Sequence, residues 1–176
     1  MTEPQPASAA SREELIASYE KGFDLRGLCL RDGKYDSVQI PKSRLDAMDL
    51  SRTVFQDVNL SGASLVGAIA KRAIFTNANL SDANLSKADF RDADLNFANL
   101  TRADVRGCTF TPDTNLRGAT VTRLKIDRRA LRMLGAIHGG LTDADLAEID
   151  IHDDQIRVAT AFGGIWGLFH LFAVSV

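Results

Sequence analysis

The chain has 176 residues, of which 45% are hydrophobic and 25% are charged, and its formal net charge is -2. This length allows one domain with its own core, and the composition excludes a fibrous or wholly disordered protein. Two cysteines are too few for a disulfide framework, so a reducing, cytoplasmic environment is expected.

The N-terminal part of the chain divides into a polar leader and a short helix. Residues 1–10 are rich in Ala, Pro and Ser, so they are predicted to be disordered. They contain neither a basic start nor an apolar run, so no secretory signal is expected in them. Residues 11–22 are predicted to be an N-terminal capping helix. Ser11-Arg12-Glu13-Glu14 is typical of a capping box and Gly22 is typical of a C-cap.

Residues 23–131 repeat with a period of five. Each unit has a large apolar centre, preceded two positions earlier by a smaller residue, which is alanine nine times running from Ala63 to Ala103. There are 22 units, and one extra residue near Pro112 shifts the register. The centres are Leu25, Leu30, Tyr35, Ile40, Leu45, Leu50, Phe55, Leu60, Leu65, Ala70, Phe75, Leu80, Leu85, Phe90, Leu95, Leu100, Val105, Phe110, Leu116, Val121, Ile126 and Leu131.

A period of five suits neither an α-helix nor a β-strand. On a helix five residues advance about 500°, which scatters the centres, and in a strand an odd spacing sends them to alternate faces. A unit that contains its own corner places every centre inside, and stacking such units buries a continuous core. Tyr35, Phe55 and Phe75 are spaced by 20 residues, as are Phe90 and Phe110. This spacing predicts a square coil of four units.

The pattern A-(D/N)-(L/F)-x-x resembles the pentapeptide-repeat family. It occurs as Ala78-Asn79-Leu80, Ala83-Asn84-Leu85, Ala88-Asp89-Phe90, Ala93-Asp94-Leu95 and Ala98-Asn99-Leu100. The resemblance implies an all-β solenoid, a right-handed quadrilateral β-helix of about five to six coils, with short N-terminal and C-terminal capping helices. It also implies dimerisation through the C-terminus, which is common in similar families.

Residues 132–176 are predicted to be a C-terminal helical cap with an apolar tail. Asp127 is a candidate N-cap for a helix that stops at Gly139-Gly140. Residues 141–156 fit either a helix or a further coil, because Leu141, Leu146 and Ile151 are five apart. We favour the helix, since the neighbouring units lack the small inner residue.

Residues 158–176 contain no formal charge over 19 positions. The spacing of the large side chains is helical, and these form a candidate dimer interface: Phe162, Ile165, Trp166, Phe169 and Phe172. A membrane span is the alternative on length. Three glycines and the lack of a flanking basic cluster favour packing on the rod's end or between two chains.

No catalytic, cofactor or metal site is predicted. A narrow solenoid filled with Leu, Phe and Ala leaves no pocket in which polar groups could converge. The three histidines, His138, His152 and His170, lack the spacing of metal ligands. The sequence therefore indicates a protein that is not an enzyme and carries no cofactor.

Two surface features follow from stacking at 20 residues. The first is a row of cations, interrupted by aspartates, that fits either a solvated face or a site for an acidic partner: Arg31, Arg52, Lys71, Arg72 and Arg91. The second is a set of apolar side chains at normally polar positions, a candidate protein contact: Val54 and Ile74, with Phe97 one coil further and Val66 and Ile69 nearby.

The preferred function is a protein–protein interaction or scaffold module with an unidentified protein partner. The family's best-known branch mimics DNA, binds DNA gyrase and confers quinolone resistance, which gives one alternative. Mimicry needs an acidic rod, but residues 23–131 carry 17 basic and 13 acidic side chains, a net charge of +4. Membrane association through residues 158–176 is the second alternative. Direct binding of nucleic acid is not supported, because basic and aromatic residues do not interleave.

Overall fold

The secondary structure consists of two short helices and two short strands around a long run of turns and bridges. A computed structural model describes residues 8–135 and 149–152. Helix α1 spans Arg12–Lys21, strand β1 Lys125–Asp127, helix α2 Arg128–Gly135 and strand β2 Asp150–His152. The residues between α1 and β1 alternate between tight turns and single parallel bridges.

The bridges join residues that are one coil apart. Val54 pairs with Ile74, and Asn79 pairs with Asn99, each across 20 residues. After the extra residue near Pro112 the separation becomes 21, as between Asp94 and Asn115. Four five-residue units therefore make one turn of the chain, which is the coil that the aromatic spacing predicts.

Most units bend at one residue in the left-handed region, and this bend accounts for the period of five. Among the described residues, fourteen that are not glycine have φ between 54° and 62°, all at the second position after a centre. Such a conformation costs an L-residue about 1–2 kcal/mol. Hydrogen bonds to the next coil offset that cost: the N–H of Arg52 donates to the carbonyl of Lys71 at 2.9 Å, and Lys87 donates to Arg106 at 2.9 Å.

The predicted centres fill the core. Every centre from Leu25 to Leu131 is at most 6% exposed, and the nine alanines from Ala63 to Ala103 are at most 1% exposed. Aromatic centres in neighbouring coils contact one another, and the ring centroids of Phe55 and Phe75 are 5.4 Å apart. The second inward position is small in most units, which leaves room for one large side chain per edge, and Met48 and Leu124 are larger exceptions.

Helix α1 lies against the first coil. Its capping box is present, since the Glu14 N–H donates to Ser11 Oγ at 3.1 Å and the Ser11 N–H donates to Glu14 Oε2 at 2.6 Å. Leu15 is fully buried in the core cluster. The Tyr35 hydroxyl donates to the Ala10 carbonyl at 2.7 Å, and burial raises the pKa of Tyr35 to about 12.

The other end of the repeat confirms the predicted N-cap at Asp127 but otherwise departs from the sequence analysis. The N–H of Ala130 donates to Asp127 Oδ1 at 2.7 Å, so Asp127 caps α2, and Leu131, predicted as a repeat centre, lies in that helix. Strand β2 pairs in parallel with β1, with Ile151 opposite Ile126. The favoured helix over residues 141–156 is therefore wrong for 150–152. Residues 141–148 and 153–156 lie outside the described residues.

Of residues 1–10, predicted to be disordered, 1–7 lie outside the described residues, and the prediction is wrong for Ala10, whose N–H donates to the Cys29 carbonyl at 2.7 Å. Two further predictions concern residues that the structure does not describe. The candidate dimer interface, Phe162 to Phe172, and the apolar segment 158–176 both lie outside the described residues. Within 8–135 and 149–152, neither helix has the length and apolar character that crossing a membrane requires.

Candidate interaction surface

One corner of the coil carries a vertical column of four charged residues, here named the arginine corner. They are Asp32, Arg52, Arg72 and Asp92, each 20 residues after the last and all in the left-handed region. Arg52 Nη2 donates to Asp32 Oδ2 at 2.7 Å, and Arg72 Nε lies 3.6 Å from Asp92 Oδ2. The order acid, base, base, acid concentrates positive charge in the two middle coils.

Beside this corner lies the Ile69 face, whose bridge residues are Asp49, Ile69, Asp89 and Thr109. It supplies the other predicted cations: Arg31 Nη1 lies 3.0 Å from Asp49, and Lys71 Nζ and Arg91 Nη2 lie 3.5 Å and 2.7 Å from Asp89. Every cation of the predicted basic row thus has a carboxylate partner. The row is largely charge-compensated rather than a continuous basic stripe.

These ion pairs hold the aspartates ionised. A side-chain hydrogen bond from Arg52 lowers the pKa of Asp32, and one from Arg91 lowers the pKa of Asp89. The same bonds raise the pKa of Arg52 and of Arg91. Pairs this exposed contribute little to stability, so their charges stay available to a partner that excludes water.

Within the predicted basic row, the most exposed cation is Arg72. Its side chain is 71% exposed, compared with 51% for Arg52 and 44% for Lys71. Arg52, Lys71, Arg72, Arg91 and Asp92 together line a shallow depression of about 220 Å³. Four cations and the Asp92 carboxylate therefore line one small volume, whose excess of positive charge would favour a negatively charged group.

On the other side of the corner lies the Val54 face, whose bridge residues run Lys34, Val54, Ile74 and Asp94. Ile74 is 36% exposed, and Ile69 on the neighbouring face is 40% exposed. Ile69 and Ile74 flank Lys71 and Arg72 in the sequence. The predicted cationic row and part of the predicted apolar set thus meet at the arginine corner.

The other two apolar candidates lie elsewhere. Phe97 occupies a different corner, where its side chain is 59% exposed and its ring covers Gly118, at which an added Cβ would come within 2.4 Å. Val66 is half-buried on another face, and its N–H donates to Asp46 Oδ1 at 3.1 Å. The sequence analysis missed Phe23, which is 53% exposed and contacts Tyr19 edge-on at 5.2 Å.

A metal-binding grouping is not found in the described part of the chain. Within residues 8–135 and 149–152 there is no group of three or more His, Cys, Asp or Glu residues that could hold a metal ion. Burial raises the pKa of the Cys108 thiol to about 12, and its sulfur donates to the Leu85 carbonyl at 3.0 Å. Cys108 is therefore a core residue rather than a nucleophile.

Comparison with known proteins agrees with this architecture. The family model "Pentapeptide repeats" matches in 8 copies, over residues 42–69 and 73–111. Among curated proteins, no sequence is significantly similar to this chain.

Solved structures with the same repeat are also similar. The structure of a pentapeptide repeat protein from the Arabidopsis thaliana thylakoid lumen has 30% identity and a TM-score of 0.53, over 55% of this chain and 66% of that one. The match thus spans just under two thirds of that protein's length. Rfr23 from the cyanobacterium Cyanothece 51142 has 22% identity and a TM-score of 0.54, over 65% of this chain and 87% of that one.

A third match has a name that states a function. It is QnrB1, a plasmid-mediated fluoroquinolone resistance protein, with 19% identity over 87% of this chain and 84% of that one. Its TM-score is 0.32, which is too low to support an argument about function.

Proposed function

The chain belongs to the pentapeptide-repeat family, and from that premise we propose that it is a non-enzymatic module that binds another protein through the arginine corner and its two flanking faces. Members of this family fold as right-handed quadrilateral β-helices. For this chain we propose five to six coils, with α1 and the C-terminal region as caps. Such a rod offers a long fixed surface, and binding on a fixed surface avoids the entropy cost of ordering it.

The observation that carries the proposal is the exposure of Ile69 and Ile74 beside the cations. Branched apolar side chains at positions that are polar in most units gain free energy when a partner removes them from water. The ladder holds their backbone in place, since the Ile74 N–H donates to Thr53 at 2.9 Å and the Ile69 N–H donates to Met48 at 2.9 Å. A contact there therefore requires little rearrangement of this chain.

A binding assay with paired variants tests the proposal. Val54→Asp and Ile74→Asp place charges on the apolar row, and we expect each to reduce recovery of the bound protein from extracts of the source cells. Asn59→Asp and Asn79→Asp make a matched control, because these residues are bridge partners at the same unit position on another face. Equal recovery with both sets of variants would refute the surface.

DNA gyrase is the minority candidate for the partner. The net charge of +4 over residues 23–131 is opposite to that of a DNA mimic. We therefore expect no change in gyrase supercoiling, or in its inhibition by a fluoroquinolone, when micromolar protein is added. Protection of gyrase in that assay would replace our proposal with this alternative.

Homodimerisation and membrane association through the C-terminal segment remain separate proposals. Sedimentation of the full chain and of a variant ending at residue 157 distinguishes them. A soluble dimer that becomes a monomer on truncation supports an interface, whereas recovery of the full chain with membranes supports an anchor.

A further inference from the structure

We propose that the partner presents a short, acidic, amphipathic α-helix that lies along the Val54 face, parallel to the stack of coils. The inference rests on the proposed function, because it names the chemistry of the protein that the surface would bind. It follows from three properties of the surface, which are its spacing, its charge order and its two charged ends.

The spacing of the surface matches that of a helix. Equivalent residues in neighbouring coils lie about 4.8 Å apart, as Val54 and Ile74 do across their bridge. Residues three or four apart on a helix are separated by about 4.5–6 Å along its axis. One apolar row of such a helix can therefore contact Val54 and Ile74 in successive turns.

The charge order fixes which side of that helix is acidic. The arginine corner runs beside the Val54 face, with Arg72 only two residues before Ile74 in the chain. Rows of side chains on a helix surface lie about 5–6 Å apart. Glutamate or aspartate in the row next to the apolar one would therefore reach Arg52 and Arg72, and with them the cation-lined depression.

The ends of the surface limit the length of the helix and set its direction. On the Val54 face Lys34 precedes the apolar pair and Asp94 follows it, before the ladder continues to Asn115, and on the arginine corner Asp92 follows Arg72. Three coil spacings separate Lys34 from Asp94, about 14 Å, which corresponds to about ten helical residues. Because a helix N-terminus is partially positive and its C-terminus partially negative, the partner's N-terminus lies near Asp92 and Asp94 and its C-terminus near Lys34.

An unbiased peptide selection tests the inference. Full-length protein is used to select from a displayed library of random 16-residue peptides, and enriched peptides are then titrated by fluorescence anisotropy. We expect enrichment of peptides with net negative charge and apolar residues at i, i+3 and i+4. We expect binding to weaken as salt rises, because charged groups outside the apolar row are screened.

Two variants with the same charge change identify the site. Arg72→Glu is expected to weaken binding by about tenfold or more, as loss of a charge pair at an interface does. Arg123→Glu is the matched control, since Arg123 is exposed and left-handed at the same unit position on another corner. Both changes leave the core untouched, and circular dichroism verifies the fold.

The outcomes separate this inference from the proposed function. Basic or neutral peptides without helical spacing, no enrichment, or equal effects of Arg72→Glu and Arg123→Glu would overturn the acidic helix. If Ile74→Asp weakens binding but Arg72→Glu does not, the contact surface stands and the acidic helix falls. If neither variant weakens binding, both proposals fall.

Discussion

The hydroxyl of Thr53 donates a 2.9 Å hydrogen bond to the carbonyl oxygen of Leu30, a centre in the preceding coil. Thr114 makes the same bond to Phe90 at 3.0 Å. A polar side chain at the small inward position is therefore tolerated when it can reach the carbonyl of the centre 23 or 24 residues earlier. Buried hydroxyl groups without such a partner are destabilising.

Ser43 is the exception, and Ser43→Ala is expected to stabilise the protein. Its Oγ is buried without a hydrogen-bond partner, because the residue 23 positions earlier is Glu20, which belongs to helix α1 rather than to a coil. Removing the unpaired hydroxyl should raise the free energy of unfolding by about 1 kcal/mol. Urea denaturation measures the free energy of unfolding. Thr53→Ala should lower that free energy, because it removes a hydrogen-bonded hydroxyl, and a loss of stability in Ser43→Ala would contradict the explanation.

Phenylalanines inside and outside the coil are expected to differ strongly in their contribution to stability. Phe75 is fully buried, stacked on Phe55 and edge-on to Phe90, whereas Phe97 is 59% exposed. Phe75→Ala should cost about 3–5 kcal/mol, because it leaves a cavity in the core. Phe97→Ala should cost about 1 kcal/mol or less. Thermal unfolding of the two variants checks this, and equal losses would show that the centres do not form the core.

The corner conformation can be tested without altering any contact. Gly67 has φ of +65° and Gly27 lies outside the left-handed region, yet an added Cβ would have open space at both positions. Gly67→Ala should therefore cost about 1 kcal/mol through the backbone alone. Gly27→Ala should be neutral or stabilise by about 0.5 kcal/mol, since it restricts the unfolded chain. Comparable destabilisation of both variants would rule out the left-handed corner as the cause.

Acid sensitivity should depend on Asp104. Its side-chain hydrogen bond with Arg106, 2.9 Å from Nε to Oδ1, lowers the pKa of Asp104. A carboxyl group whose pKa is lowered in the folded state stabilises the protein at every pH above its ordinary pKa, near 3.9. This stabilisation is lost as the pH falls through the lowered pKa of the folded state. Asp104→Asn should therefore be less stable at pH 7, by at most about 1 kcal/mol, and the difference should shrink near pH 2.5.

The control for this prediction is Asp36→Asn, because Asp36 has no ion pair within the described part of the chain. Denaturation at the two pH values should show little change in stability from this variant at either pH. A constant deficit for Asp104→Asn across the pH range would instead indicate a packing effect of the amide.

The repeat itself could be predicted from the sequence because its physical cause is local. Each unit repeats one bend and one inward side chain, so the spacing of centres such as Phe55 and Phe75 gives the coil length directly. The left-handed corners could not be predicted from residue type. They carry Arg72, Lys87 and Phe97 as well as glycine, since the bonds to the next coil outweigh the local preference.

The C-terminal end could not be predicted by the same rule. The unit around Ile151 has Ile149 at the inward position that is alanine in the nine units from Ala63 to Ala103, and this favoured a helix. Ile149 is partly buried against the core, and strand β2 continues the stack after helix α2. The unit of strand β1 already has a large residue at this inward position, since Leu124 is 1% exposed beside Ile126, so this end of the stack does not follow the alanine rule.

The candidate surface could be predicted only in part. The sequence correctly placed Val54 next to Ile74, because both follow the 20-residue spacing. It also grouped Val66 and Phe97 with them, although these lie at other unit positions on other faces. The compensation of the cations by Asp32 and Asp89 depends on rotamers and coil-to-coil distances, which a residue pattern does not contain.

The central claim, that residues 20 apart are neighbours on one face, is tested most directly by a disulfide. In Val54→Cys/Ile74→Cys the two Cα atoms would be about 4.8 Å apart, within the range that a disulfide spans. In Val54→Cys/Ile69→Cys the cysteines lie on different faces. After mild oxidation, peptide mass spectrometry should find the bond in the first variant and free thiols in the second. A bond in the second variant, or none in the first, would contradict the account.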